Sequence, residues 1–328
     1  MLRAKYTQKS IWTDSSLESS LSISMAEIRN IIFCRQDFYY EFPVPKSNGG
    51  TRTVGAVRDP LQSVQRKIKT IFLDHVIYPS YLYGSIRDAV SPRSALTNAI
   101  THQKAKHLYT ADIKSFFDKV TGTHVNAIWR SIFGFSPDIS EILTLLTTLE
   151  GRLPQGTCTS PALANLVFFR EEPYVVERLE RVGFKYTRYV DDITLSNRSH
   201  VPKQSITHAV QEIRGMIRSQ GFVLARSKQH FSSEVDSKTG DRKALRITGH
   251  TVGQVVSLPA ERRRGLEVAI HKLLEIPKTE TNLFEIEKSF RSIAARVGQL
   301  KLLHPSQHSR FKAKIDVVKK WLKSKTVK

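Results

Sequence analysis

Apolar residues return along this chain with two different periods, and the period predicts the element. A polar, Ser-rich opening ends at Ser22 to Ser24, where serine caps a short helix running through Met25, Ile28, Ile31 and Ile32. Phe38 to Val44 alternates as a strand, Lys46 to Gly50 supplies turn chemistry with its SNGG run, and Thr51 to Val57 returns as a second strand. Leu61, Val64, Ile68, Ile71, Phe72 and Val76 then form one helical stripe, with Arg66, Lys67 and Lys69 on the wet side.

Tyr81 to Arg93 reads as loop and Ala95 to His102 as helix. Leu108, Tyr109, Thr110 and Ile113 favour a strand, with Asp112 close to its end. Helices follow around Val125 to Phe133 and Asp138 to Glu150. Residues 151 to 169, GRLPQGTCTSPALANLVFF, are punctuated by Gly and Pro and turn helical at Ser160-Pro161, with serine as cap and proline at the first helical position. That junction offers exposed amides and Gln155 to an anion. In KYTRYVDDITLS, Lys185 to Ser196, two β-rich flanks meet at Asp191 and Asp192, which makes a hairpin with two carboxylates at its tip. Ile206, Ala209, Val210, Ile213 and Ile217 mark a helix, Phe222 to Leu224 a strand, and Arg226-Ser227-Lys228 a basic turn. Leu245 to Val256 reads as paired strands around Thr248-Gly249. From Leu258 the pattern is helical throughout, in stripes led by Leu266, Leu283 and Phe311.

Composition narrows the class. An apolar share of 40% with 25% charged residues describes a globular chain, and 51 Lys and Arg against 30 Asp and Glu leave a net charge of +21. Such a surplus points to a polyanion, with nucleic acid ahead of membrane. Cys34 and Cys158 stand far apart without a CxxC or a His cluster, so neither a disulfide framework nor a zinc site is expected. No apolar h-region and no window of membrane-spanning length occur, and the expected setting is the reducing cytoplasm, away from membranes.

The acidic residues set the chemistry. Adjacent like charges repel, and Asp191-Asp192 gains little at a strand junction unless a cation neutralises it. Phosphoryl transfer at a nucleoside triphosphate needs hard oxygen ligands for two magnesium ions, and Asp112, Asp191 and Asp192 supply them. Successive strand residues face opposite ways, so Asp112 and Asp191 are expected to bridge the ions and Asp192 to assist.

These blocks, taken in order, give the chain its resemblance. From about Ile28 to its end it resembles the reverse transcriptases, and among them the bacterial retron type. YVDD at Tyr189 to Asp192 is similar to the family's YxDD box, with Val where retron enzymes more often carry Ala. ADIKSFFDKV matches the first-aspartate block, LPQGTCTSP the LPQGxxxSP block, and PKSNGGTRTV with Gln65-Arg66 the fingers block. NAITH, Asn98 to His102, is similar to the NAxxH signature, and ITG, Ile247 to Gly249, to VTG.

The resemblance implies an α+β right-hand polymerase with fingers, an RRM-like antiparallel-sheet palm and a helical thumb. It divides the chain into an N-terminal helix and fingers (1–105), a palm with an interleaved fingers segment (106–256), and a thumb (257–328). It further implies Ile113 as a member of the metal set beside the three aspartates, and Phe117 as an aromatic gate against a 2′-hydroxyl. Gln155, Lys46 and Arg52 would hold the nucleotide, and Lys228 would be the general acid. RNA recognition would fall to Asn98, His102, Thr248, Gly249, Arg262, Arg263 and Arg264. The implied partners are dNTPs, a cognate non-coding RNA, its branched msDNA product and an effector protein encoded nearby, in anti-phage defence. A group II intron maturase would extend past Lys328, a diversity-generating enzyme would carry SQ in place of Ser160-Pro161, and a scaffold without catalysis would not need all three carboxylates.

Overall fold

The computed structural model describes the chain except residues 1–2, 46–49, 89, 200, 236–240, 242, 277–281 and 327–328. β1 (Lys5–Tyr6) precedes α1 (Asp14–Leu21), so the Ser-rich opening is a helix after all. Thr13 caps it, accepting from the Ser16 amide, and Leu17 and Leu21 provide its buried face. Ser24 begins α2 (Met25–Phe33) as expected, in a reciprocal capping box with Glu27. β2 (Tyr39–Pro45) and β3 (Thr51–Val57) form the expected hairpin. α3 (Leu61–Ile71) ends earlier than its stripe: Leu73–His75 is a 3-10 turn and Val76 opens β4 (Val76–Ile77), which pairs with β1.

The central sheet collects strands from distant parts of the chain. β5 (Leu82–Tyr83) lies within the stretch read as loop, and α4 (Ala95–Thr101) leads to β6 (His107–Asp112). The helical run comprises α5 (Phe116–Lys119), α6 (Gly122–Ser131), α7 (Pro137–Thr147), α8 (Ser160–Leu166) and α9 (Glu172–Arg181). β7 (Lys185–Tyr189) and β8 (Asp192–Asn197) make the acidic hairpin, and α10 (Lys203–Ser219) and β9 (His230–Ser233) follow. The sheet order is β5-β7-β8-β6-β9, antiparallel except for the β5-β7 edge. Two expectations change here. Ser160 is the first helical residue rather than the cap, its hydroxyl donating to the Pro154 carbonyl at 2.6 Å. Phe222 to Leu224 is not a strand: Phe222 packs into the core, and Leu224 makes a single bridge to Ile113.

β10 (Leu245–Ile247), β11 (His250–Val252) and β12 (Val256–Ser257) form a separate small sheet, and α11 (Ala260–Glu275), α12 (Leu283–Leu303) and α13 (Pro305–Thr326) complete the chain. One core runs from Leu17 and Ile28 through Phe72, Trp129 and Leu163 to Ile193 and Phe222. The last three helices have their own core around Leu266, Ile293, Phe311 and Val318. A third cluster, Ala99, Leu108, Leu245, Ile247 and Val252, welds α4 to the small sheet. Among the described residues no helix is long and apolar enough to cross a membrane.

Candidate active site

β6 and β8 pair in a register that sets Asp112 opposite Asp192, while Asp191 sits in the turn between β7 and β8. The Ile113 amide donates to the Asp191 carbonyl at 3.0 Å, and the Ala225 amide to the Asp112 carbonyl at 2.8 Å. Val190, just before Asp191, has φ 59°, a left-handed conformation that a β-branched residue adopts only under constraint. The constraint is Arg188. Its side chain is 0% exposed, and Nη1 donates to the Val190 carbonyl at 2.9 Å. The rest of the guanidinium donates to Glu172 at 2.6 and 2.8 Å and to the Asn165 carbonyl at 2.9 Å. Tyr186 also donates to Glu172, at 2.8 Å, and Phe168 lies beneath the guanidinium at 5.1 Å. Burial pulls the Arg188 pKa down, but the Glu172 charge and hydrogen bonds more than offset it, so the guanidinium is held charged. A buried pair survives when its hydrogen-bonding groups are satisfied, and here all three guanidinium nitrogens and both Glu172 carboxylate oxygens have partners.

The carboxylates follow the opposite plan. Burial, then the Asp191 charge, then that of Asp112 push the Asp192 carboxyl up to about 6. Burial and the Asp112 charge raise Asp191 as well. Asp112 accepts from Lys228 Nζ at 2.7 Å, and that hydrogen bond, with the three acidic charges, raises the lysine. Among the described residues no three His, Cys, Asp or Glu side chains converge as a metal cage. The donor set nevertheless suits hard cations: three coupled carboxylates have one ammonium among them, and more positive charge would relieve the two raised ones. The Lys228 ammonium, bonded to Asp112 alone among the three, neutralises one charge of three.

The remaining expected residues fall into three groups. Phe116 and Phe117 separate clearly: Phe116 is buried and stacks on Phe168 at 5.9 Å, while Phe117 is half-buried and keeps a face toward the surface. Gln155 is exposed, and its carbonyl accepts from the Gly55 amide of β3 at 2.9 Å. Gly156 has φ 114°, and a Cβ there would lie 2.0 Å from the Gly55 carbonyl oxygen, so this contact admits only glycine. Arg52 lies in β3 opposite Val44, and Lys46 is outside the described residues.

The residues expected to read RNA divide between interior and surface. Asn98 and His102 are 0% exposed, which leaves them no surface for direct RNA contact. The two His102 ring nitrogens lie 2.6 Å from Ser196 Oγ and 2.7 Å from Thr187 Oγ1. Burial, aided by the Lys185 and Arg198 charges, lowers the ring to about 3, so a neutral imidazole ties α4 to both strands of the acidic hairpin. Thr248 donates to the Ala95 carbonyl at 2.8 Å, and a Cβ on Gly249 would lie 2.6 Å from Arg262 Nη1. Arg263 is spent internally on the Leu258 carbonyl and Gln307, both at 3.2 Å, whereas Arg262 and Arg264 are exposed. Glu172, Arg188 and Asn165 escaped the sequence reading. The available signal was an arginine inside a β-rich flank, where an unpaired charge does not stay buried.

The family model described as reverse transcriptase (RNA-dependent DNA polymerase) matches residues 44–252, which contain all three aspartates. The retron Se72 reverse transcriptase of Salmonella heidelberg (strain 579083-10) is 28% identical over 290 residues, covering 88% of this chain and 74% of that protein. The retron Ec48 reverse transcriptase of Escherichia coli is 28% identical over 322 residues, covering 94% of this chain and 76% of its own. Among solved structures, apo telomerase from Candida Tropicalis, truncated from its C-terminal domain, aligns with 67% of this chain and 54% of its own. The identity is 14% and the TM-score 0.44. The mixed helices and sheet are those of an α+β polymerase fold. The chain belongs to the reverse transcriptase family, as an RNA-directed DNA polymerase of the bacterial retron type.

Proposed function

We propose that this enzyme copies part of a cognate structured non-coding RNA into single-stranded DNA that stays branched from that RNA, as msDNA. The observation that carries the reading is the coupled acidic trio of Asp112, Asp191 and Asp192 at the end of the central sheet. Synthesis starts when the 2′-hydroxyl of a guanosine in the RNA loses its proton to solvent water and its oxygen bonds to the α-phosphorus of the first dNTP. The bond from that phosphorus to the β-phosphate bridging oxygen breaks, and pyrophosphate departs. Later additions use the 3′-hydroxyl of the growing strand. Two magnesium ions bound there would lower the pKa of the attacking hydroxyl and neutralise the leaving group. Asp112 and Asp191 would hold them with the backbone of Ile113, and Asp192 would assist. Lys228, placed against Asp112 as an ammonium, gives its proton to the departing pyrophosphate. Phe117 presents its half-buried ring to the sugar, and Gln155, Arg52 and Lys46 hold the nucleotide from the fingers side.

Residues 1–105 act as N-terminal helix and fingers, 106–256 as palm, and 257–328 as thumb, with Arg262 and Arg264 supplying exposed charge to the RNA. Asn98, His102, Thr248 and Gly249 serve recognition from within, by fixing the shape of the surface above them. The enzyme works in the cytoplasm with an effector encoded nearby, in defence against phage. Extension of a primed RNA template by wild type with dNTPs and magnesium, and its loss in Asp191→Ala, tests the reading. An equal product yield from the variant sinks it.

A further inference from the structure

Behind Asp112 lies a cleft of about 920 Å³ whose lining the acidic site leaves unexplained. Its walls are the loop after β6 with Lys114 and Ser115, the α10 face with Arg214 and Arg218, and the segment from Val223 to Gln229. The walls are stitched together, since the Lys114 amide donates to the Val223 carbonyl at 2.9 Å. Arg214 donates to Gln229 at 2.7 Å, and Tyr109 donates to the same oxygen at 3.0 Å, which steadies the turn carrying Arg226 and Lys228.

Five cationic side chains line the cleft, Lys114, Arg214, Arg218, Arg226 and Lys228, against one acid, Asp112, which Lys228 already engages. Among the described residues the side chains of Lys114, Arg218 and Arg226 have neither an ion pair nor a hydrogen bond. Cations converging on one space repel, and the arrangement becomes favourable when an anion with several acceptor oxygens enters. Among the described residues the lining contains no aromatic side chain on which bases of a single strand would stack. Asp112 belongs to the lining, and the reaction proposed at Asp112 liberates a small polyanion.

We propose that this cleft is a binding site for the leaving pyrophosphate, with Arg218 and Arg226 as its main ligands and Lys114 as a third. The inference rests on the nucleotidyl transfer proposed at Asp112 and Asp191. After the α–β bond breaks, pyrophosphate passes from Lys228 into the arginine-lined space and then to solvent. The site therefore acts on product release and on the reverse reaction, in which pyrophosphate attacks the terminal phosphodiester and regenerates a dNTP.

The test uses the full chain with Arg218→Gln and Arg226→Gln, singly and together, leaving Arg214 to hold Gln229. Arg296→Gln with Lys319→Gln removes the same charge elsewhere and serves as the control. Inorganic pyrophosphate is titrated calorimetrically into each metal-free protein, and its inhibition of primer extension and its reversal of synthesis are then measured. Each single variant is expected to weaken pyrophosphate binding about 5-fold to 10-fold and the double variant more, with reversal slowed in proportion and RNA affinity within about 2-fold of wild type. Pyrophosphate affinity unchanged in the double variant, or lowered equally in the control, overturns the proposal. Weakened RNA binding with unchanged pyrophosphate affinity overturns it too, and assigns the cleft to an RNA backbone. Should wild type fail to extend a primer, the proposed function fails, while the calorimetric titration still reads the cleft.

Discussion

Around Arg188 each charge meets an opposite charge or a hydrogen-bond partner, whereas three and four residues further along the chain, at Asp191 and Asp192, like charges are left close together. The first cluster is dry, paired and bonded through Glu172, Tyr186, Asn165 and Val190. The second is partly open and has one ammonium for three carboxylates. The difference teaches how to tell structural from chemical charge: a buried ion pair that satisfies itself holds shape, and one left short of countercharge is waiting for a ligand. The two are joined, because Arg188 grips the carbonyl of Val190 in its left-handed turn and so fixes where Asp191 begins.

The comparison breaks most sharply at Asp191. Asp191→Asn is expected to lower primer extension by about 10⁴-fold or more, above 5 kcal/mol in barrier, while the cation-free protein keeps or gains thermal stability as a repelling charge goes. A clear drop in its melting temperature would place Asp191 among the structural charges. Next in size, Arg188→Met strands the Glu172 charge and should cost about 3–5 kcal/mol in urea denaturation, much of it recovered in the double variant with Glu172→Leu. If the double variant folds well, primer extension should remain depressed because nothing grips Val190. Full activity there would dissolve the link between the clusters.

His102 sharpens the comparison through pH. Its folded pKa of about 3 lies below the ordinary 6.5, so the unfolded chain binds a proton that the folded chain refuses. Stability is complete above about 6.5 and falls by about 1.4 kcal/mol per pH unit as the pH drops toward 3. In His102→Gln, denaturation midpoints between pH 7 and pH 5 should flatten, and an unaltered slope would refute a buried neutral ring. The smallest effect is expected at Phe117→Ala, about 10-fold in the ratio of ribonucleotide to deoxynucleotide incorporation. Unchanged discrimination would return Phe117 to packing alone.

The elements were legible where one face of the chain decides them. Alternation placed the acidic hairpin, and the stripe of Ile206, Ala209, Ile213 and Ile217 placed α10, because burial on one side writes a period into the sequence. Asp112, Asp191 and Asp192 stood out as charges in β-rich runs, and the sheet register brings Asp112 opposite Asp192. What stayed hidden depends on partners distant in sequence. Nothing local reveals that Arg188 finds Glu172, 16 residues back, or that His102 finds Ser196, 94 residues on. For the same reason nothing in the NAITH run announces that Asn98 and His102, assigned to RNA recognition, lie in the interior. Phe222 to Leu224 shows the converse: its apolar run suits a strand, yet Phe222 packs against both Phe116 and Phe168 instead.

The contact between Gly156 and Gly55 carries one more consequence. The Gln155 loop and the β2-β3 hairpin touch backbone to backbone, with no side chain between them to yield. Two parts so joined are expected to move together, so a displacement of β3 at Gly55 would carry the Gln155 backbone with it. Inheritance is bound by the same contact: a side chain at Gly156 demands a retreat of the Gly55 strand, so drift at either position must be answered at the other.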